Sequence, residues 1–240
     1  MTIAVEYSKN MTQRVGILGG TFNPIHLGHL RAAEEALEIL GLDSFLFIPS
    51  AVPPHKPDKA ILPFEDRWEM LRIAIEGHPF FQISDLENRL SGKSYTVTSL
   101  RKLHEELSED AEIYFLVGMD AFLELDSWYH YTELFKLARI TALRRPGYPE
   151  EELEFFLRNK VSPLYQWDRD ARCFHHPDLL PVHYLKTTHM AISSTQIRLL
   201  VREGKSIRYL VPDGVMRYIK KTGFYRQAKT SNFERQASEQ

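Results

Sequence analysis

Gly19–His29 reads GGTFNPIHLGH: two glycines, a proline and two histidines set between a short apolar run and a helical repeat. The run before it, Arg14–Leu18 (RVGIL), stops at the glycine pair and suits a buried strand. After it, Leu30, Ala33, Leu37 and Leu40 recur at helical spacing, with Arg31, Glu34, Glu35 and Glu38 on the remaining face. The motif is therefore predicted to be a strand-to-helix turn, in which Gly19 and Gly20 adopt backbone angles closed to other residues and leave room for a ligand. Free amides at a helix start favour an anion, and His26 and His29 are expected at its mouth. Imidazoles there donate to phosphate oxygens, and a neighbouring phosphate raises their protonated fraction. The same HxxH spacing suits a pair of metal ligands, and His29 alone suits a helix cap. A tight zinc site asks for a third Cys, His or carboxylate close by. The segment supplies only Asn23 and Thr21, so no metal site is assigned and phosphate is the reading taken.

The 240 residues carry 30 basic and 32 acidic side chains, a formal charge of −2. That balance offers no broad field for gripping a nucleic-acid polymer, while a small nucleotide needs only a local cluster. The length suits a single α/β domain. The one cysteine, Cys173, excludes an internal disulfide framework and reads as an ordinary thiol, although His175 and His176 stand near it. The opening MTIAVEYSKNMTQR lacks the apolar core of a secretion signal. No apolar run reaches the roughly 18 residues of a membrane helix, so a cytoplasmic protein without a membrane partner is expected. Residues 1–13 read as an N-terminal extension and residues 226–240 as a polar tail.

Phe45–Ile48 reads as a second strand, broken at Pro49 by the proline-stiffened loop SAVPPHKPDKA. Loops that follow a strand of an open α/β sheet are where ligands bind, which makes His55 and Lys56 candidate phosphate contacts; a solvated basic loop is the plainer alternative. Phe64–Ile75 and Ser94–Leu107 are predicted helices, and Phe80–Ile83, Ile113–Val117, Arg139–Leu143 and Val182–Leu185 predicted strands. Tyr95 and Thr96 fall at a helix start, where free amides face a ligand and where Thr96 also suits a cap.

Gly118 ends a strand, Asp120 behind it suits a ribose hydroxyl or a cap, and the helix-like AFLEL follows. Trp128 taken by itself is a core residue. Arg144 and Arg145 at a strand end suit phosphate, because guanidinium offers a planar fork of donors. In Ile192–Arg198 (ISSTQIR), Ser193 and Gln196 have capping-box spacing, and Ile197, Leu200 and Val201 form the apolar stripe of the helix they start. Ser194, Thr195 and the amides near them suit a phosphate, with Arg198 one turn inside to neutralise charge; a merely well-capped helix fits as well. Between 150 and 180, EEELEFFLRNK suggests a helix and the remainder carries no recognisable chemistry.

GGTFNPIHLGH resembles the HxGH signature of the nucleotidyltransferase superfamily, and in its details that of the bacterial nicotinate-nucleotide adenylyltransferases. ISSTQIR resembles the same family's signature for the ATP triphosphate, and the likeness runs from Arg14 to Tyr225, with a poorly matched stretch near 150–180 that looks like an insertion. The resemblance implies one domain over 14–225 with a Rossmann-like α/β fold, a mostly parallel sheet carrying helices on both faces. It implies transfer of the adenylyl group of ATP to nicotinate mononucleotide, giving deamido-NAD and pyrophosphate in NAD biosynthesis with the help of Mg2+. Carried over by motif, it assigns His26, His29 and Arg198 to catalysis, and Gly19, Gly20, Thr21, Phe22, Gly118, Asp120, Ser193, Ser194 and Thr195 to ATP. It assigns Asn23, Lys56, Tyr95, Thr96, Trp128, Tyr129 and Arg145 to the mononucleotide, with the tryptophan stacked on the pyridine ring. Many relatives carry Asp where this chain has Asn23, so a carboxylate role does not transfer. Another HxGH-superfamily adenylyl- or cytidylyltransferase, a non-catalytic nucleotide sensor and a metal-dependent hydrolase are the alternatives.

Overall fold

A computed structural model describes residues 13–52, 61–90 and 92–226. The candidate contacts His55 and Lys56, and the extension and tail at 1–12 and 227–240, lie outside the described residues. In chain order the strands are β1 (Arg14–Gly20), β2 (Ser44–Pro49), β3 (Phe81–Ile83), β4 (Glu112–Gly118), β5 (Arg139–Leu143), β6 (Gln166–Asp168), β7 (Cys173–His175) and β8 (Val182–Leu185). The longer helices are α1 (Leu27–Leu40), α2 (Phe64–Ile75), α4 (Thr96–Glu106), α6 (Tyr131–Leu137), α7 (Glu150–Phe156), α8 (Ser194–Arg202) and α9 (Asp213–Thr222); α3 (Leu86–Arg89) and α5 (Met119–Phe122) are single turns.

The eight strands form one sheet in the order β3-β2-β1-β4-β5-β8-β7-β6. The pairs from β3 across to β8 are parallel, and the two joints that add β7 and β6 are antiparallel. A parallel sheet needs cover on both faces, and strand periodicity divides the side chains between them. Along β4, Ile113, Phe115 and Val117 enter one core with residues of α4, α6 and α7, while Tyr114 and Leu116 enter the other with residues of α1, α2, α8 and α9. The 150–180 stretch is built into the sheet's edge: Leu153, Phe156, Tyr165 and Phe174 are buried in the first of these cores, and β6 and β7 form its antiparallel margin.

Three local expectations change. Gly19 and Gly20 are not in special backbone angles; they are the last two residues of extended β1, and the left-handed residue of the turn is Phe22, at φ 47°. The pleated ladder to β2 reaches Gly20, opposite Pro49, and holds the glycines in strand geometry. The helix-like AFLEL is only the single turn α5 followed by a 3-10 turn over Leu125–Ser127. Glu35, which the helical pattern puts on the polar face, is buried, where it pairs with Arg31 and accepts the Thr188 amide at 2.7 Å. Among the described residues no helix is long and apolar enough to cross a membrane.

At Gly16 in β1, an added Cβ would lie 2.5 Å from Phe45 and 2.7 Å from Leu42, both buried side chains of the second core. Gly16→Ala is therefore expected to cost about 1–3 kcal/mol, the usual penalty for forcing a methyl into a full core. Urea unfolding checks this as a lower midpoint at unchanged slope.

Candidate active site

β1 lies between β2 and β4, so the winding of the sheet reverses between β1 and β4. Crevices beyond the carboxyl ends of strands at such a reversal are where open α/β sheets hold ligands. A cleft of about 700 Å³ opens there, within the range of small-molecule sites. From the β1 side its wall takes Gly19, Thr21, Phe22, Asn23, His26 and His29; from the β4 side it takes Gly118, Asp120 and Trp128, with Arg145 following β5. Ser193, Ser194, Thr195 and Arg198 close it from α8. Sequence motifs separated by most of the chain thus meet in one cavity.

Gly20, Tyr95, Thr96 and Tyr129 are not part of that wall. The Phe22 ring covers Gly20, with Cζ 3.2 Å from where a Cβ would stand. Tyr95 and Tyr129 stack on one another with ring centroids 4.7 Å apart, and Thr96 opens α4 without a side-chain cap from Tyr95. The start of α4 is tied to the end of β2, since the Ser94 hydroxyl accepts the Val52 amide at 3.2 Å and the Ser94 amide donates to the Val52 carbonyl at 3.3 Å. The wall also includes Thr187–Met190, a segment not singled out from sequence. Its signal was position: a donor-rich run, KTTHM, lies directly ahead of the ISST motif.

The two histidines face the cleft as a stacked pair, rings 3.6 Å apart and 20° from parallel. His26 sits at the N-cap of α1 and His29 in its first turn. Two amides of that turn are already engaged, Leu27 N–H with the Leu210 carbonyl at 3.0 Å and His29 N–H with the His26 carbonyl at 3.0 Å. Side-chain donors, more than main-chain amides, are therefore what this end of the cleft offers. Gly19 adds access, because nothing but the Phe115 ring, at 3.9 Å, comes near its absent Cβ.

The ISST segment does double work. Ser193 accepts the Gln196 amide at 3.1 Å and caps α8, as its spacing predicts. Ser194 was expected to grip a phosphate, but its one hydroxyl proton is donated to the Pro24 carbonyl at 2.8 Å. Arg198 donates one N–H to the Asn23 carbonyl at 2.9 Å and another to Thr195 Oγ1 at 3.2 Å. A guanidinium has five N–H groups, so Arg198 anchors the turn and still presents donors to the cleft it lines. The Asn23 side chain also faces inward, its Oδ1 accepting the Tyr225 hydroxyl at 2.7 Å and the Leu62 amide at 3.4 Å.

Asp120 and Arg145 meet across the β4–β5 end in an ion pair of 2.8 Å. A Cβ on Gly118 would collide with both partners, at 2.5 and 2.8 Å, so the pair needs glycine there. Burial first, and the Arg145 charge second, lower the pKa of His26 to about 4. His26 is therefore neutral at pH 7, and the protonation expected from sequence is the one that a neighbouring phosphate would bring. Burial removes the water that would solvate an imidazolium, and the anion that would favour one arrives only with the ligand.

With a cleft at the reversal of a mostly parallel sheet, the chain matches the Cytidylyltransferase-like family over residues 17–200, which places it among the nucleotidyltransferases. A relative named "Probable nicotinate-nucleotide adenylyltransferase" from Geobacter metallireducens is 45% identical over 84% of this chain and 93% of its own length. One of the same name from Syntrophotalea carbinolica is 45% identical over 84% of this chain and 92% of its own. The chain belongs to the nicotinate-nucleotide adenylyltransferase family. In fold it is similar to the nicotinic acid mononucleotide adenylyltransferase of Plasmodium falciparum complexed with NaAD, with a TM-score of 0.68 at 18% identity over 89% of this chain and 97% of that one.

His26 supplies a pH test. Its folded pKa of about 4 lies below the ordinary histidine value of 6.5, so between those values the unfolded chain binds the proton that the folded one refuses. The group's contribution to stability is present above about pH 6.5 and is lost as pH falls toward 4. In a proton NMR titration of the ligand-free protein, the His26 ring is expected to stay neutral until near pH 4. Addition of ATP is expected to move that midpoint upward.

Proposed function

We infer that this chain joins the phosphate of nicotinate mononucleotide to the adenylyl group of ATP, releasing pyrophosphate and forming deamido-NAD in NAD biosynthesis. The names of its relatives support this. The observation that carries it is the convergence of two imidazoles, His26 and His29, and the Arg198 guanidinium on one cleft at the sheet's reversal. We read residues 14–225 as a single nucleotidyltransferase domain, a reading supported by one continuous sheet from β3 to β6.

The attacking group is a phosphate oxygen of the mononucleotide, already anionic at neutral pH, so no protein nucleophile is required. It bonds to the α-phosphorus of ATP; the bond from that phosphorus to the bridging oxygen breaks, and its electron pair leaves on pyrophosphate. Charge repulsion and alignment form most of the barrier, and fixed donors lower both. In this reading His26 and His29 hold the α-phosphate and the bridging region, with Gly19, Gly20, Thr21 and Phe22 shaping the approach. Arg198 and the first-turn amides of α8, around Ser193–Thr195, take up charge on the departing pyrophosphate. Gly118 and Asp120 serve the ATP side. Arg145 and Asn23 serve the mononucleotide, whose ring stacks on Trp128; Tyr95, Thr96 and Tyr129, outside the cleft wall, and Lys56, outside the described residues, are assigned to it by the family resemblance alone.

Magnesium enters with ATP. Among the described residues no group of three or more His, Cys, Asp or Glu could hold a metal ion. Phosphate oxygens and water would be the expected ligands of such a cation at a phosphate site. When bound, it neutralises charge on the phosphates.

With ATP, magnesium and nicotinate mononucleotide, the purified chain is expected to release pyrophosphate and form an equal amount of deamido-NAD, with nicotinamide mononucleotide the poorer acceptor. His26→Ala is expected to unfold as cooperatively as the parent while turnover falls about 100-fold or more, the effect of losing one donor to a charged transition state. Near-normal turnover in that variant would remove His26 from the chemistry, and no pyrophosphate from the parent chain would overturn the assignment.

A further inference from the structure

Arg67 is a charged residue on α2 that is 1% exposed, and it takes no part in the cleft wall. Its guanidinium spends its bonds on main-chain carbonyls from three separate segments. Nε donates to Leu62 at 3.0 Å, Nη1 to Thr21 at 2.8 Å and Nη2 to Ser50 at 2.7 Å. Ser50 follows β2, and its own amide is bonded to the Gly20 carbonyl at 2.9 Å, so the fork ties the ends of β1 and β2 together. The Phe64 ring lies 5.6 Å from the guanidinium carbon and shields it further.

Burying a cation is costly, and a well-packed apolar side chain of similar volume often stabilises a fold as well or better. What a guanidinium supplies that an apolar chain cannot is a rigid planar fork, which fixes several acceptors in one register. The acceptor that matters is Thr21, which opens the turn carrying His26 and His29. That turn is held at further points: Asn23 Oδ1 receives the Tyr225 hydroxyl, and the Asn23 and Pro24 carbonyls receive Arg198 and Ser194.

We propose that Arg67 is a positioning residue for adenylyl transfer, holding the Thr21–Pro24 turn from behind so that the His26–His29 pair meets the α-phosphate, with the Tyr225 hydroxyl as its second anchor. It rests on the reading of the cleft as the transfer site. Arg67 touches no reacting atom, so its loss acts through the placement of the imidazoles, where a displacement of about 1 Å is enough to cost roughly 100-fold in rate. Binding contacts from α8 and from the β4 side survive, so kcat is the parameter that falls.

The test compares Arg67→Lys, which keeps the charge and loses the fork, with Tyr225→Phe, which removes a single oxygen. In Arg67→Lys, kcat is expected to fall by about tenfold or more, with KM for ATP and for nicotinate mononucleotide within about threefold of the parent. Tyr225→Phe is expected to give a smaller drop in kcat with the same pattern. As a readout independent of turnover, the His26 NMR midpoint, held down by burial and by Arg145, with His29 stacked against it, is expected to rise in Arg67→Lys as the turn loosens and water reaches the ring. A folded Arg67→Lys with parental kcat and an unmoved His26 midpoint would overturn the proposal. If that variant does not fold, Tyr225→Phe decides: lowered kcat supports the proposal and parental kcat overturns it. Failure of the parent chain to consume ATP and nicotinate mononucleotide would sink the functional reading alone, since the His26 midpoint still reports whether Arg67 holds the turn.

Discussion

Beyond Gly20 the chain leaves the sheet, and the carbonyls of Thr21, Asn23 and Pro24 lose the ladder partners that the strand supplies to its own. A buried carbonyl without a partner costs about 1–3 kcal/mol. Each of the three is met by a side chain from far along the sequence: Arg67, 46 residues on; Arg198, 175 on; and Ser194, 170 on. The Asn23 side chain is met in turn by Tyr225, 202 residues away. Satisfying this short turn therefore docks α8 on it, and α8 can dock there only by bringing its N-terminus and Arg198 to the mouth of the cleft. Backbone hydrogen bonding and ligand binding share one set of residues.

That sharing decides which groups remain for an anion. Ser194 has one proton and gives it to Pro24, whereas Arg198 divides its fork between the turn and the cleft. The α1 end has spent two of its first-turn amides inside the protein. The principal donors are then the imidazoles, the outward part of the Arg198 fork and the first amides of α8. On the β4–β5 side Arg145 is held by Asp120, and burial together with the Arg145 charge keeps His26 neutral beside it.

Most of the scaffold was legible because it follows simple periods. The predicted strands Arg139–Leu143 and Val182–Leu185 and the helix Phe64–Ile75 have the observed bounds, and the capping spacing of Ser193 and Gln196 is realised as a bond. The cleft was legible because its two ends carry compact motifs. What a linear pattern does not carry is which polar groups turn inward. Ser194 reads as a ligand donor and serves the fold; Gly19 and Gly20 read as turn residues, yet their carbonyls and amides belong to a parallel ladder. The sheet margin at 150–180 escaped for another reason. β6 and β7 are three residues each, too short for alternation to stand out; β7 pairs with β8, and β6 with β7.

Arg67 is the instructive case, because the helical period does contain it. Phe64 precedes it by three positions and Leu71 follows it by four, so all three share one face of α2, and that face is the buried one. A count of apolar positions alone passes over position 67 as a gap in the stripe. A charge lodged within an apolar stripe has two physical outcomes: it snorkels to water along its stem, or it stays and finds enough acceptors to offset its desolvation. The carbonyls of Thr21 and Ser50, just past two adjacent parallel strands, and of Leu62, just ahead of α2, are such a set of acceptors. A single guanidinium plane reaches Thr21 and Ser50 together. The buried Glu87, bonded by the Ser99 hydroxyl at 3.0 Å, adds negative potential from the same region. The parallel sheet thus provides the acceptors, α2 the donor fork, and the turn between β1 and α1 inherits its register from both.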